Sequence, residues 1–365
     1  MQRKTISVTP AEKEAFTSDN VKLSEVKERR KKAADMPNYL DTFFLRDPEQ
    51  IVSNARLTER SREVLRVSKA DSTLDSYESD WHDFCEWCFY NNAAPYPASP
   101  ETVVNYINDL SQYAKTNTIA RRVTAISENY GASALADQNP CTSFLVKNAL
   151  KGIRRLYGSQ SQGKEPVLLE DIRDMVQSIT GTPLQVARDK AILLTGFMGA
   201  FRRSELAALE VSDIRFSRLG ARIQLRKSKA DQQGRGAVVA IPRIEDDPDI
   251  CAVQALEEWL SLSHISAGPV FRGFTRSGEP RQTAISDKSI AMIVKKYVEK
   301  IGMDPSLYGA HSLRHGFATS AAQARVEERD IMKHTRHHSR EMVRRYIDEA
   351  DMLISSPIAK MVKPK

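Results

Sequence analysis

Long apolar runs and cysteine-rich stretches are both missing from this chain of 365 residues. No segment approaches the ~18–20 consecutive apolar residues that a membrane-spanning helix needs, so we expect no membrane partner. The opening residues MQRKTISVTPAEKE lack the apolar core of a secretory signal, and four cysteines are too few for a disulfide framework. These absences predict a cytoplasmic chain in a reducing compartment.

Motifs that bind metals or nucleotides are absent as well. The sequence has no glycine-rich phosphate loop, no EF-hand and no paired-carboxylate motif. Cys85 and Cys88 have the CxxC spacing, but no second pair exists to complete a zinc site, and their spacing also suits the apolar face of a helix. We therefore expect these two thiols to pack in a core, and we expect no metal and no cofactor.

The composition is that of an ordinary globular protein with a modest positive charge. Hydrophobic residues make up 41% and charged residues 28%, which excludes a wholly disordered chain. The length suits two domains better than one. Lys and Arg number 54 against 47 Asp and Glu, for a net charge of +7. That excess permits a polyanionic partner without requiring one.

Changes in composition divide the chain into five segments. The basic stretch KERRKK at 27–32 either contacts DNA phosphates or is a solvated arm. The stretch GSQSQGKE at 158–165 has no apolar residue and predicts a linker. The expected segments are an N-terminal extension at 1–68, partly disordered, a helical domain at 69–158, a linker at 159–166, a second domain at 167–348 and a tail at 349–365.

The two domains differ in their periodicity. Residues 69–158 show apolar positions at three- and four-residue spacing, which predicts a bundle of four helices. Residues 111–158 carry seven basic residues against two acidic ones. If these basic residues share one face of the bundle, that face could contact a DNA backbone. An ordinary solvated helix surface explains the charge equally well. The pattern of the second domain predicts helices around a small antiparallel sheet, with strands at 222–225 and 237–241.

Three places in the second domain concentrate side chains suited to phosphate chemistry. Arg202 and Glu205 open an apolar helix, and an arginine there can hold phosphate oxygens or simply pair with its own glutamate. His311 and Arg314, three residues apart, share a helical face. His337 lies in a histidine-rich tract, with Tyr346 nine residues later. Each signal alone has an ordinary structural explanation.

The order of these residues is specific, and together they resemble the tyrosine recombinase (phage integrase) family. The phrase HSLRHGFAT at 311–319 is close to the family signature, and RRSEL at 202–206 looks like its first arginine box. The patterns around Ser72–Phe84 and Asn117–Arg122 look like the core-binding domain of Cre-like and Xer-like members. The resemblance covers residues 69–350.

The resemblance implies a mainly α fold, with a helical, SAM-like core-binding domain and an α+β catalytic domain. It implies that Tyr346 attacks a DNA phosphate to form a 3′-phosphotyrosyl intermediate, with His311 as base and Lys229 as the acid that protonates the leaving oxygen. The implied catalytic residues are Arg202, Glu205, Lys229, His311, Arg314, His337 and Tyr346. The implied DNA-contacting residues are Lys115, Thr118, Arg121, Arg122, Lys147, Lys151, Arg154 and Arg155.

The implied function is site-specific recombination that gives integration, excision or resolution at the nucleoid. The implied partners are double-stranded DNA with an inverted-repeat target and three further copies of the chain, as a tetramer on two sites. The tail would pass to a neighbouring subunit. Two alternatives stay open: a type IB topoisomerase that relaxes DNA, and an inactive DNA-binding protein.

Two positions depart from the family pattern or leave it ambiguous. The lysine could be Lys227 or Lys229, and Lys229 fits the turn between the two strands better. The family usually has glycine before the histidine of the third box, where this chain has Arg336. That substitution raises the question of whether the local turn forms.

Overall fold

The computed structural model describes residues 37–46, 58–158, 163–226, 236–337 and 339–354. The chain divides into two units, Met1–Gln162 and Gly163–Lys365, which are taken in turn below. Among the described residues, every helix is too short or too polar to cross a membrane.

The first unit is helical, as its periodicity predicts. Its core is built from aromatic and branched side chains such as Trp81, Phe84 and Tyr106, all fully buried. Cys85 and Cys88 belong to this core, where burial raises the pKa of both thiols to about 12, so the expectation of core packing is confirmed. The helices are α1 Glu59–Arg66, α2 Asp71–Tyr90, α3 Pro100–Ser111, α4 Thr116–Gly131 and α5 Phe144–Tyr157, with 3₁₀ turns at Tyr39–Thr42, Phe44–Arg46, Ala136–Gln138 and Pro140–Thr142.

Part of the expected N-terminal extension packs on the first unit. Phe43 is 5% exposed in the core. The side chain of Asn129 on α4 accepts from the Phe44 amide at 2.7 Å and donates to the Thr42 carbonyl at 2.8 Å. Residues 37–46 therefore form part of this unit, with Phe43 in the core and Tyr39 and Leu45 packed against it.

The second unit has helices around a small antiparallel sheet. The predicted strand pair is confirmed: β2 and β3 run antiparallel, with Ile223 opposite Val239. Strand β1, strands β4 and β5, and helix α12 were not predicted, because short segments of mixed polarity carry little periodic signal. The strands are β1 Ile214–Ser217, β2 Gly220–Leu225, β3 Ala237–Pro242, β4 Arg272–Phe274 and β5 Pro280–Ala284. The helices are α6 Leu169–Gln177, α7 Pro183–Met198, α8 Arg203–Ala207, α9 Ala252–Ser263, α10 Asp287–Lys300, α11 Ala310–Gln323, α12 Glu328–Thr335 and α13 Arg340–Ile354, with 3₁₀ turns at Val211–Asp213 and Pro248–Ile250.

The segment 163–167 lies along the start of α11. The Glu165 amide donates to the Leu307 carbonyl at 3.0 Å, and the Val167 amide donates to the Ser312 carbonyl at 3.1 Å. A Cβ at Gly316 would lie 1.6 Å from the Val167 oxygen, so only glycine permits this approach. Residues 163–166, expected in the linker, belong to the second unit for this reason. At the other end, α13 continues to Ile354, past the boundary expected at 348.

Candidate active site

Helix α11 carries Arg314 into the interior of the second unit. Arg314 is only 1% exposed. Its Nη1 donates to the Ala200 carbonyl at 2.8 Å, whereas its Nη2 is buried and has no acceptor among the described residues. A buried guanidinium with an unpaired donor is costly, and an anion that accepts from it would remove the cost.

Arg202 and Glu205 are locked together at the start of α8. Arg202 precedes the helix in an extended conformation. The Glu205 carboxylate accepts from the Arg202 amide at 2.9 Å and from its Nη1 at 2.6 Å. Burial alone would raise the pKa of Glu205, but the Arg202 amide and the guanidinium groups of Arg336 and Arg202 hold it below its usual range. The local ion pair exists, and the charge of Arg202 is close enough to Arg314 to lower the pKa of that residue.

The turn between α12 and α13 forms with Arg336 in the place of glycine. Arg336 adopts φ 56° and ψ 42°, the left-handed conformation that favours glycine. Its guanidinium donates to the Ala200 carbonyl at 2.8 Å and to Glu205 Oε2 at 3.0 Å. The local turn therefore forms without glycine, and it places His337 in the site.

His337 is buried, and Thr335 orients its ring. The Thr335 hydroxyl donates to the Ile331 carbonyl at 2.7 Å and lies 2.7 Å from His337 Nδ1. When the hydroxyl donates to the carbonyl, Nδ1 of His337 must donate to the hydroxyl, and the neutral ring then keeps its lone pair at Nε2. Burial, together with the charges of Arg314 and Arg202, lowers the pKa of His337 to about 3.

Tyr346 lies on α13 between two histidine rings of its own chain. Its ring centroid is 4.5 Å from that of His315 and 5.7 Å from that of His337. The side chain is 8% exposed and packs on Ala318, Ala322, Ile331 and Val343. Tyr346 therefore lies among side chains of the second unit that include two of the histidines.

The electrostatics of the site favour a neutral histidine beside cationic arginines. Burial and the neighbouring Arg202 and Arg336 lower the pKa of Arg314 to about 9, so it stays charged near neutral pH. Desolvation by the surrounding protein and the charge of Arg314 lower the pKa of His311, although the side chain is exposed at the surface. A neutral imidazole can accept a proton, as a general base must.

The structure brings most of the predicted catalytic residues together. They lie on or next to four helices of the second unit. Arg202 directly precedes α8, and Glu205 lies on it. His311 and Arg314 lie on α11, His337 follows α12, and Tyr346 lies on α13. Lys229 and its rival Lys227 fall outside the described residues, between β2 and β3.

Sequence reasoning missed His315 and Thr335 as contributors to the site, and it named Arg336 only as a departure from the family pattern. His315 lies four residues after His311 on the same helix, and that spacing could have identified it. Its Nδ1 lies 2.9 Å from the Lys164 carbonyl and donates to it. Thr335 left no comparable signal, and the contacts of Arg336 depend on a turn whose geometry the sequence does not show.

Two other tyrosines of the second unit have a raised pKa. The Tyr297 hydroxyl donates to Asp189 Oδ2 at 2.7 Å, and burial with that contact raises its pKa. Tyr308 is buried, and burial raises its pKa as well.

The basic residues of the first unit fall into two groups. Arg121 Nη1 donates to Asp80 Oδ2 at 2.5 Å, and Arg122 pairs with Asp83 while its side chain is only 17% exposed. Both face acidic residues of α2. The remaining basic candidates are exposed and lie before α4 or on α5: Lys115, Lys147, Lys151, Arg154 and Arg155. Thr118 is half-buried.

Comparison with known proteins identifies a family and similar sequences. Residues 168–352 match the model of the phage integrase family. Over 322 residues the chain is 45% identical to an integrase/recombinase XerD homolog of Selenomonas ruminantium, an alignment that covers 88% of this chain and 94% of that protein.

Solved structures share the fold. The XerH site-specific recombinase bound to its palindromic difH substrate superposes with a TM-score of 0.57 at 17% identity, over 86% of this chain and 95% of that one. A lambda integrase dimer bound to a core site gives a TM-score of 0.52 at 14% identity, over 85% of this chain and 94% of that one. At such identities the likeness concerns the fold alone.

Proposed function

The chain belongs to the phage integrase family and is a tyrosine recombinase, and we propose that it cleaves and rejoins DNA strands through a 3′-phosphotyrosyl intermediate. The observation that carries this proposal is Arg314 Nη2, a buried donor without an acceptor in the described part of the chain, beside Arg202 and within the unit that holds Tyr346. A phosphodiester supplies the missing acceptor. Two arginines aimed at its non-bridging oxygens would stabilise the charge that develops in the transition state.

The chemistry balances without an external energy source. The Tyr346 oxygen forms a bond to phosphorus, its proton passes to His311, and the bond from phosphorus to the 5′ oxygen breaks. Lys229 gives a proton to that departing oxygen, leaving a free 5′-hydroxyl and a phosphotyrosine. Attack by the 5′-hydroxyl of a partner strand reverses each step, so strand exchange conserves the phosphodiester.

His337 has a proton-dependent role in this scheme. In the tautomer whose Nδ1 donates to the Thr335 hydroxyl 2.7 Å away, the neutral ring offers only a lone pair at Nε2. To donate to a phosphate oxygen it must take up a proton, which the negative charge of bound DNA would favour by raising its pKa. DNA binding would then draw in a proton at His337.

The role of Lys229 can be tested with a modified substrate. A bridging 5′-phosphorothiolate leaves as a thiolate, which needs little protonation because a thiol pKa is about 8.5. We expect Lys229→Ala to cleave this substrate well and ordinary DNA poorly, whereas Arg314→Ala should fail on both. Rescue of Lys227→Ala in place of Lys229→Ala would reassign the acid.

We also propose assembly of four copies on two inverted-repeat sites, with the end of the chain passed to a neighbour. An apolar groove of about 660 Å³ in the second unit, with Phe197, Val239, Ile250, Phe317 and Ile331 in its walls, suits an apolar segment. The residues after Ile354 supply Ile358 and Met361. Truncation after Ile354 should abolish assembly of two sites in cross-linking while leaving binding to one site intact.

One experiment tests the proposed function directly. The target is first selected from randomised duplexes with the Tyr346→Phe protein and then built into a nicked suicide substrate. The wild-type chain should form an SDS-stable protein–DNA adduct, and Tyr346→Phe should bind equally well but form none. An adduct in the variant would overturn the assignment. Relaxation of a supercoiled plasmid without the target would instead favour a topoisomerase.

A further inference from the structure

We propose that Arg336 is a positioning residue for strand cleavage, which holds the Arg202–Glu205 pair and the Ala200 carbonyl in the arrangement that the reaction needs. The inference rests on the proposed function, and it concerns the one position at which the third box departs from the family pattern. Arg336 would act through its neighbours and not by touching the phosphate.

The guanidinium of Arg336 connects two segments that are far apart in the chain. Nη1 donates to the carbonyls of Gly199 at 3.1 Å and His334 at 3.0 Å, and Nη2 donates to Ala200 and Glu205. The side chain is 12% exposed, and its guanidinium lies 5.4 Å from the centre of the Phe201 ring. Arg336 thereby joins the turn before α8 to the turn that carries His337.

Arg336 shares both of its important acceptors with catalytic arginines. The Ala200 carbonyl accepts from Arg314 Nη1 and from Arg336 Nη2, each at 2.8 Å. The Glu205 carboxylate accepts from Arg202 at Oε1 and from Arg336 at Oε2. Loss of Arg336 would leave Glu205, which is 5% exposed, with Arg202 as its one hydrogen-bonded cationic partner among the described residues. The carboxylate could then shift, and the Arg202 side chain would move with it.

The backbone at this position makes glycine the informative replacement. Arg336 has a left-handed conformation, so Arg336→Gly removes the side chain and keeps the turn without strain. Arg325 provides a matched control, because it is also an arginine at positive φ (60°), it is exposed, and it follows α11 in the chain. Arg325→Gly should change neither binding nor cleavage.

The first measurement separates chemistry from binding. We expect Arg336→Gly to lower the single-turnover cleavage rate of the selected suicide substrate by about 10–100-fold, with the Kd for DNA changed less than twofold. Arg336→Lys keeps the charge but cannot reach four acceptors. Its cleavage rate should therefore fall between those of the wild type and Arg336→Gly. The melting temperature of Arg336→Lys should match that of the wild type, so this variant keeps the test valid if Arg336→Gly folds poorly. Cleavage by both variants at the wild-type rate would overturn the proposal.

A double-mutant cycle tests whether Arg336 works through Glu205. If it does, Arg336→Gly combined with Glu205→Gln should cleave no more slowly than the worse single variant. Effects that multiply would show an independent contact with the phosphate and would contradict the positioning role. Failure of the wild-type chain to form any adduct would refute the proposed function, whereas normal cleavage by Arg336→Gly in an active wild-type background would refute this inference alone.

Discussion

Arg314 shows how a single residue can be prepared for a ligand by the fold around it. One of its terminal nitrogens is fixed by the Ala200 carbonyl, and the other is buried without an acceptor in the described residues. A donor held in this way loses no orientational freedom when charge develops on an oxygen, which is why such groups contribute strongly to catalysis. His337, fixed through Thr335, follows the same logic.

Removal of either arginine that faces the phosphate should damage cleavage severely. We expect Arg314→Ala and Arg202→Ala each to slow single-turnover cleavage by about 10²–10³-fold, the usual loss when a preorganised donor is deleted. Suicide-substrate kinetics at saturating protein measure this directly. A loss below tenfold for one of them would mean that this arginine does not contact the transition state.

The buried histidine should make the fold sensitive to acid. His337 has a pKa of about 3 in the folded chain against about 6.5 when unfolded, so between these values only the unfolded state binds the proton. The free energy of unfolding should therefore fall as the pH drops below about 6.5. Urea denaturation across pH 4–7 should show a shallower decline for His337→Asn, whereas the exposed His264→Asn should decline like the wild type.

Among the elements, α11 is the one on which the site depends. It carries His311, Arg314 and His315, and the segment 163–167 is bonded along its first turns. The sequence was sufficient to predict this helix and to single out His311 and Arg314 on it, because their spacing and order are specific. It could not show that Gly316 is the point of contact with Val167, nor that His315 meets Tyr346, because both depend on chain segments brought together only by folding.

The same limit explains the other differences from expectation. The strand pair β2–β3 was predictable because its apolar residues alternate, whereas β1, with the sequence IRFS, offers a single buried residue. The exposed lysines of α5 and the paired Arg121 and Arg122 look alike in sequence. Only the position of the acidic residues on α2 separates them.

Gly316 supplies the test of this packing. Gly316→Ala would place a methyl group 1.6 Å from a backbone oxygen, so we expect it to destabilise the second unit by at least ~3 kcal/mol. Gly152→Ala is the control, since a Cβ there meets nothing within 4 Å and lies inside helix α5. It should stabilise by about 0.5–1 kcal/mol. Equal effects of the two substitutions in urea denaturation would contradict the close approach.

For the whole molecule, the basic residues of the two units would contact DNA in different ways. The second unit holds the arginines that would act on one phosphodiester, and the exposed lysines of the first unit would act on the DNA backbone without regard to sequence. Both contributions are electrostatic, but only the second should depend strongly on salt, because it releases counterions over several phosphates.

Salt dependence distinguishes backbone contacts from structural ion pairs. Lys151→Ala should reduce the slope of log K against log salt concentration by about 1, as expected for one lost phosphate contact. Arg122→Ala should leave the slope unchanged and lower the melting temperature, because its guanidinium pairs with Asp83. Fluorescence anisotropy between 50 and 300 mM NaCl, about the range over which such slopes are measured, checks both. An unchanged slope for Lys151→Ala would remove that residue from the interface.

The grouping of Arg202, Arg314 and Arg336 around the single carboxylate of Glu205 implies that the site opposes the stability of the fold. A free oxyanion that binds the folded chain alone adds RT ln(1 + [L]/Kd) to the free energy of unfolding, about 2.7 kcal/mol at a hundredfold excess over Kd. Sulfate or vanadate, at concentrations too low for the general stabilisation that excluded salts give, should therefore raise the melting temperature more than chloride does at equal ionic strength. Arg314→Met should melt higher than the wild type without these anions and respond to neither, since it exchanges the buried charge for an apolar chain. The same three charges that prepare the enzyme for DNA would then make the free protein a sensor of small oxyanions, and a response retained by Arg314→Met would place that binding elsewhere.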